Sequence, residues 1–213
     1  MAGRVLLLDF DSVVLVNQHL KQYQLKRSAK FLKHHTQLRF EQCEYINKKL
    51  YPMFGHTTIM MNKMFDKKVT LEEYDDFVFS PKQLKTLNSA FDPDSRAYTN
   101  RFNNVYAHCE KTGIDCYIFT NAHKNWVTHF SRLSGLDIDE NKIFWPTTTD
   151  TLKPKKLAYD TVENKFDKKQ HYLFVDDSEV NLAVPRTLPN WTTFLFEGHH
   201  DASTVIETMK TTF

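Results

Sequence analysis

Val5-Leu6-Leu7-Leu8-Asp9-Phe10-Asp11-Ser12-Val13 is the stretch on which the fold turns. It is short, aliphatic and closed by acidic residues, so residues 4 to 10 read as a buried strand. Strand ends in an open α/β sheet are where ligands bind. Carboxylates gathered there from separate strands can hold a hard cation and leave an oxygen free to attack phosphorus.

The same pattern returns further along the chain. Cys116-Tyr117-Ile118-Phe119 runs into Thr120-Asn121, and His171-Tyr172-Leu173-Phe174-Val175 runs into Asp176-Asp177-Ser178. Lys153-Pro154 opens a polar, helix-like stretch, and Pro154 suits the first turn of a helix. Ile143-Phe144-Trp145 before Pro146 and Thr193 to Phe196 supply two more short strands, making five.

Between the strands the spacing is helical. Arg96 to Lys111 reads as one helix, with Phe102, Val105, Tyr106 and Cys109 on a face and Gly113 as its stop. Trp126, Phe130 and Leu133 mark the next helix, and Leu157 to Phe166 another. Strands alternating with helices predict a parallel, doubly wound, Rossmann-like sheet. Val13 to Val16 is an apolar stretch leaving the site. From about residue 17 to about residue 92 the character changes: Lys, Gln, Leu, Phe, Tyr and Met recur at helical spacing, punctuated by Pro52 and Gly55. Thr70 is an N-cap candidate for a helix with Leu71, Tyr74, Phe77 and Val78 on one face. This segment is expected to be a helical cap inserted after the first strand, with Phe91-Asp92-Pro93-Asp94-Ser95 as the return linker. The expected division is 1–16 plus 93–213 for the core and 17–92 for the cap.

Composition sets bounds. In 213 residues the hydrophobic fraction of 41% suffices for one core plus an insertion. Only 5 glycines leave tight turns to Asn, Asp, Ser and Pro. A net charge of +2 implies no strong electrostatic partner. The basic stretch from Lys21 to Arg39 reads as a solvated helix face, and no nucleic-acid reader motif accompanies it. Cys43, Cys109 and Cys116 are odd in number and read as buried free thiols of a reducing compartment. The run before Asp9 is too short for a signal peptide, and none approaches membrane-spanning length. The expectation is a cytoplasmic protein with no membrane partner and no polymeric nucleic acid.

The four polar sites, in this order, resemble the motifs of the haloacid dehalogenase-like (HAD) phosphohydrolase superfamily. Asp9-Phe10-Asp11-Ser12-Val13 matches its Asp-x-Asp-x-Thr/Val motif, Thr120 its Thr or Ser after a strand, Lys153 its lysine, and Asp176-Asp177 its acidic pair. Leu50-Tyr51-Pro52-Met53-Phe54-Gly55-His56-Thr57, Phe119-Thr120-Asn121-Ala122-His123 and Phe174-Val175-Asp176-Asp177-Ser178-Glu179-Val180-Asn181 resemble the pyrimidine 5'-nucleotidase branch. Ser12 and the low glycine content depart mildly from family usage. The resemblance implies a C1-type cap, Mg2+ as cofactor, and a small phosphorylated substrate.

Each residue then has an expected role. Asp9 is the nucleophile, since a carboxylate can attack phosphorus and form an acyl phosphate. Asp11 is the general acid, then the base for water; members of the superfamily that dehalogenate lack it, having no leaving alkoxide to protonate. Thr120 and Asn121 cradle phosphoryl oxygens. Lys153 neutralises charge shared by Asp9 and the phosphoryl group, with Lys155 and Lys156 as competitors. Asp9, the Asp11 carbonyl, Asp177 and Asp176 make up the Mg2+ site implied by the resemblance. Asp177 is there the direct ligand, and Asp176 acts through water or by orienting a ligand. Asn181 either supports that site or caps a helix. Tyr51, Phe54, His56 and Thr57 line the cap towards a base or pack within it. His123, His199 and His200 lack a familiar zinc spacing. Ser12 and Ser178 lack the His–acid pair of a serine nucleophile.

The reading is a Mg2+-dependent phosphomonoesterase acting through an aspartyl phosphate, on a nucleoside 5'-monophosphate of the pyrimidine type. The alternatives are another small phosphorylated metabolite, or a non-catalytic binding protein with the same fold.

Overall fold

The computed structural model describes residues 3–166 and 169–213. Its strands are β1 (Gly3–Leu8), β2 (Asp115–Phe119), β3 (Ile143–Phe144), β4 (Gln170–Asp176) and β5 (Trp191–Leu195). They form one sheet in the order β3-β2-β1-β4-β5, every pair parallel. Leu7 of β1 sits in register between Tyr117 and Phe174. The winding reverses between β1 and β4, and the crevice beyond such a reversal is where doubly wound sheets bind ligands. Asp9 follows β1 and Asp176 ends β4, so both stand at that crevice.

Side-chain alternation explains why these runs are apolar throughout. Leu6, Leu8, Cys116, Ile118, Leu173 and Val175 face one layer, while Val5, Leu7, Tyr117, Phe119, Tyr172 and Phe174 face the other.

The insertion after β1 carries α1 (Gln18–His35), α2 (Phe40–Phe54), α3 (Thr57–Met64), α4 (Leu71–Val78) and α5 (Pro81–Lys85). The chain leaves and returns at one place. Asn17 caps α1 by accepting from the Leu20 amide at 2.8 Å, and its Nδ2 donates to Asp92 Oδ2 at 2.7 Å. Asp92 caps α6 (Pro93–Asn100) by accepting from the Ser95 amide at 2.8 Å. α4 starts with the Thr70–Glu73 capping box. Leu20, Phe31, Met60, Tyr74 and Phe79 of the insertion share one apolar cluster with Phe10, Val14 and Trp126.

The first sheet face is covered by α7 (Asn103–Thr112), α8 (Lys124–Ser134) and α11 (Ala202–Thr212), and the second by α9 (Lys156–Glu163) and α10 (Glu179–Ala183). Three sequence expectations need correction. The expected return linker is the cap and first turn of α6, with Pro93 at a position where its missing N–H costs nothing. The expected helix from Arg96 to Lys111 is two, α6 and α7. Two asparagines at the break favour it: Asn100 donates to the Ser134 carbonyl and Asn103 to the Gly135 carbonyl, tying the turn to the end of α8. Pro154 does not open a helix, since α9 begins at Lys156.

The three cysteines are buried and free. Among the described residues no helix is long and apolar enough to cross a membrane.

Candidate active site

β1 ends at Leu8 and the chain turns sharply. Ser12 adopts φ +66°, the left-handed region that suits glycine, and its amide donates to the Leu15 carbonyl at 2.9 Å. The turn holds two carboxylates beside each other. Asp9 is 7% exposed, and its Oδ1 accepts from the Phe10 amide at 2.8 Å and lies 3.1 Å from Lys153 Nζ. Its Oδ2 has no hydrogen-bond partner among the described residues.

Asp11 is held from two directions. Trp126 Nε1 of α8 donates to Oδ1 at 2.9 Å, and Gln24 Nε2 of α1 donates to Oδ2 at 3.1 Å. Neither partner was expected from the sequence. A tryptophan at a helical spacing reads as core, and a glutamine on a polar helix reads as surface. Burial raises the Asp11 pKa, and these two hydrogen bonds oppose that rise.

Lys153 is fully buried and stands between two acids. Its Nζ donates to Asp176 Oδ2 at 2.7 Å and to the Phe119 carbonyl at 2.7 Å, beside the 3.1 Å contact to Asp9. Burial alone would lower its pKa, but Asp176 and Asp9 together outweigh that and raise it. The competitors point elsewhere: Lys155 pairs with Asp150 at 3.7 Å and Lys156 with Asp160 at 2.5 Å.

Asn121 lines the cavity beside Thr120, and both polar atoms of its side chain are engaged. Its Oδ1 accepts from the Lys153 amide at 2.8 Å, and its Nδ2 donates to the Lys153 carbonyl at 2.9 Å. It thus clamps the peptide that carries the lysine. Thr120 is buried, and its Oγ1 accepts from the Ala122 amide at 3.0 Å, which leaves the hydroxyl proton free to donate into the cavity.

The acidic pair divides its work. Asp176 is fully buried, with Oδ1 accepting from the Ser178 amide at 2.8 Å and Asn181 Nδ2 bonded to both oxygens at 3.0 and 3.1 Å. With Lys153 added, its oxygens are occupied by protein donors. Asp177 is exposed at the rim, bonded to the Ser12 hydroxyl. Asp9, Asp176 and Asp177 bring carboxylate oxygens within 4.8 Å of one another. The Asp9 pKa is raised well above the ordinary value by burial, and Asp176, Asp177 and Asp11 push it further against the opposing pull of Lys153. Desolvation and Asp176 raise Asp177 as well. A crowd of oxygen donors short of positive charge fits a hard divalent cation such as Mg2+.

These groups open onto a cavity of about 970 Å³ whose far wall is the insertion: Gln24, Asn47, Tyr51, His56, Tyr74 and Phe79. Gly55, at φ +69°, ends α2 against the core; a Cβ there would lie 2.9 Å from the Lys153 carbonyl oxygen. His56 is 3% exposed and caps α3, and burial lowers its pKa to about 3. Phe54 packs against the main apolar cluster and against the small one formed by Ile59, Leu71 and Leu152. His123 caps α8 and meets Trp145 edge-on, with ring centroids 4.6 Å apart. Glu197, His199 and His200 cluster on one loop at the cavity mouth, where His200 Nδ1 is already accepting from the Glu197 amide at 2.9 Å.

Neither a protein-family model nor a curated protein sequence matches the chain. Solved structures do match in shape. A phosphoserine phosphohydrolase-like protein from Francisella tularensis subsp. tularensis SCHU S4 superposes with a TM-score of 0.53 at 12% identity, over 96% of this chain and 92% of its own. The HAD domain of effector protein Lem4 from Legionella pneumophila gives 0.50 at 12% identity, over 99% and 95%. The chain therefore has the HAD-type α/β fold, with a parallel Rossmann-like sheet. At this identity the likeness speaks for the fold alone.

Proposed function

We propose that the protein is a Mg2+-dependent phosphomonoesterase that works through an aspartyl phosphate on Asp9. One observation carries this reading: a nearly buried carboxylate whose Oδ2 has no partner among the described residues faces a large cavity beside a second acid, a hydroxyl donor and a buried lysine.

Asp9 Oδ2 attacks phosphorus, and Asp11 gives its proton to the departing alkoxide. Asp11 then takes a proton from the water that splits the acyl phosphate. Thr120 donates its hydroxyl to a nonbridging oxygen, and Lys153 offsets charge on Asp9 and the phosphoryl group. Asp9, Asp177 and the Asp11 carbonyl are the oxygens offered to Mg2+, which when bound would offset phosphoryl charge. Asp176 orients Lys153 and supports the metal site from behind. The insertion acts as a cap that closes over the leaving group and excludes water, with Gln24 reaching Asp11 in the closed arrangement.

The substrate we propose is a nucleoside 5'-monophosphate, of the pyrimidine type. The Leu50–Thr57 resemblance supports it, since Tyr51, Gly55 and His56 of that segment line the cavity. The cavity's volume also falls in the range of small-molecule sites, which runs to roughly 1,000 Å³. Buried free thiols support a reducing, cytoplasmic setting.

The test is phosphate release from p-nitrophenyl phosphate, with and without Mg2+, followed by a panel of nucleoside monophosphates, sugar phosphates and phosphoserine. Asp9→Asn, with its fold verified by circular dichroism, is expected to lower kcat by on the order of 10³-fold or more. Metal-independent release that survives Asp9→Asn overturns the mechanism. No release from any substrate favours a binding protein instead.

A further inference from the structure

Asp11, the acid of the proposed reaction, follows β1 in a turn and not in a helix or strand. The torsion that rotates a carboxyl about its Cβ is broad and roughly two-fold. The turn alone therefore does not decide which oxygen faces the cavity. Trp126 of α8 does. Its indole is fully buried, with Phe79 and Phe130 edge-on against it at ring-centroid distances of 5.5 and 4.6 Å. An indole N–H donates and never accepts. Here it donates to Asp11 Oδ1 at 2.9 Å, from a residue 115 positions away.

That bond makes the two carboxyl oxygens unequal. In a protonated carboxyl the carbonyl oxygen is the better acceptor, so an N–H on Oδ1 places the proton on Oδ2. Oδ2 lies on the side of the cavity. Its partner, Gln24 Nε2 at 3.1 Å, belongs to a residue that lines the cavity, whereas Trp126 stands behind the wall. Gln24 has a long, flexible side chain that a leaving oxygen can displace; the packed indole has no such freedom. A buried indole N–H needs only some acceptor. This one goes to the carboxylate that has to face the leaving oxygen.

We propose that Trp126 is a positioning residue for phosphoryl transfer: its N–H pins Asp11 Oδ1 and leaves Oδ2 to carry the proton to the departing oxygen. This inference rests on the phosphomonoesterase reading and adds how its acid is held. In the step concerned, the bond from Asp9 Oδ2 to phosphorus forms as the bond from phosphorus to the leaving oxygen breaks. The proton passes from Asp11 Oδ2 to that oxygen. Loss of the pin is felt only where the leaving oxygen needs the proton. p-Nitrophenolate departs as a stable anion, whereas the more basic phenoxide departs far better when protonated.

The test measures kcat/KM, which covers every step through departure of the leaving group, for phenyl phosphate and p-nitrophenyl phosphate. The two substrates are close in shape, and their ratio on one preparation cancels the fraction of folded, metal-loaded protein. It is taken in wild type, Trp126→Phe, Asp11→Asn and the double variant. Trp126→Phe is expected to lower the ratio of phenyl to p-nitrophenyl phosphate by at least about tenfold, and to change it no further once Asp11 is Asn. If Trp126→Phe does not fold, benzothienylalanine at position 126 keeps the ring shape and puts sulfur in place of the N–H. A ratio unchanged by loss of the N–H overturns the proposal, and so does one that falls as far in the Asp11→Asn background. Release of phosphate with an unchanged ratio removes this inference alone. No release from either substrate by the wild-type protein with Mg2+ sinks the phosphatase reading itself, and the proposal with it.

Discussion

Lys153 shows how much one residue can carry. Its ammonium is the only cation in direct contact with Asp9 or Asp176 among the described residues, and all three side chains are nearly or fully buried. Removing one member of such a group leaves uncompensated buried charge, which costs about 3–5 kcal/mol. Lys153→Met is therefore expected to lower unfolding free energy by about that amount in urea titration. Lys155→Ala, which removes only a pair at the surface, is expected to change stability by less than about 1 kcal/mol and to leave phosphatase activity intact. Equal effects of the two substitutions would refute the assignment of the motif lysine.

At the scale of elements, two features of the insertion make testable claims. Asp75 in α4 is buried, with Oδ1 unpartnered. Burial first, and Asp76 second, raise its pKa to about 8. The folded protein thus holds a proton that the unfolded chain releases near pH 4. The resulting stabilisation is complete below about pH 4 and is lost as pH rises to about 8. Asp75→Asn is expected to flatten the fall in melting temperature across that window and to stabilise the protein at pH 9 by roughly 1–3 kcal/mol. A slope unchanged by the substitution would count against an ionisable Asp75. The second feature is the α2 terminus. Gly55→Ala places a side chain in a left-handed conformation and against the Lys153 carbonyl. Because that peptide carries the buried lysine, the expected result is a fall in kcat of tenfold or more with a stability loss of only about 1–2 kcal/mol. A purely thermodynamic effect, with kcat unchanged in the folded fraction, would detach the α2 terminus from the chemistry.

For the whole molecule the imbalance of charge is local. The chain carries a net +2, but four carboxylates crowd the crevice around one buried lysine. A cation bound there stabilises the folded state by mass action, about 2.7 kcal/mol at a hundredfold excess over its dissociation constant. For a chain of this length that is a rise of roughly 5–10 °C in melting temperature. Mg2+ is expected to produce it, a chelator to reverse it, and Asp177→Ala to diminish it. A melting temperature indifferent to Mg2+ would count against the metal site.

The sequence determined the sheet, because a parallel strand buried on both faces must be apolar at every position, and such runs end abruptly where polar chemistry begins. Asp9, Thr120 and Asp176 were legible for that reason, and Lys153 through its motif. The sequence also determined the insertion, whose helical spacing contrasts with the runs beside it. Only the tertiary structure decided which groups touch. Trp126 and Gln24 lie far from Asp11 along the chain, and each looks ordinary within its own helix. Nothing in the sequence near Asn121 shows that its amide clamps the Lys153 peptide. Asn47 is silent in sequence, since a helical asparagine gives no sign that it is buried at a cavity wall. Local pattern fixes which residues are buried and in what element; a hydrogen bond across the fold depends on how those elements pack, and no window of sequence holds both of its ends.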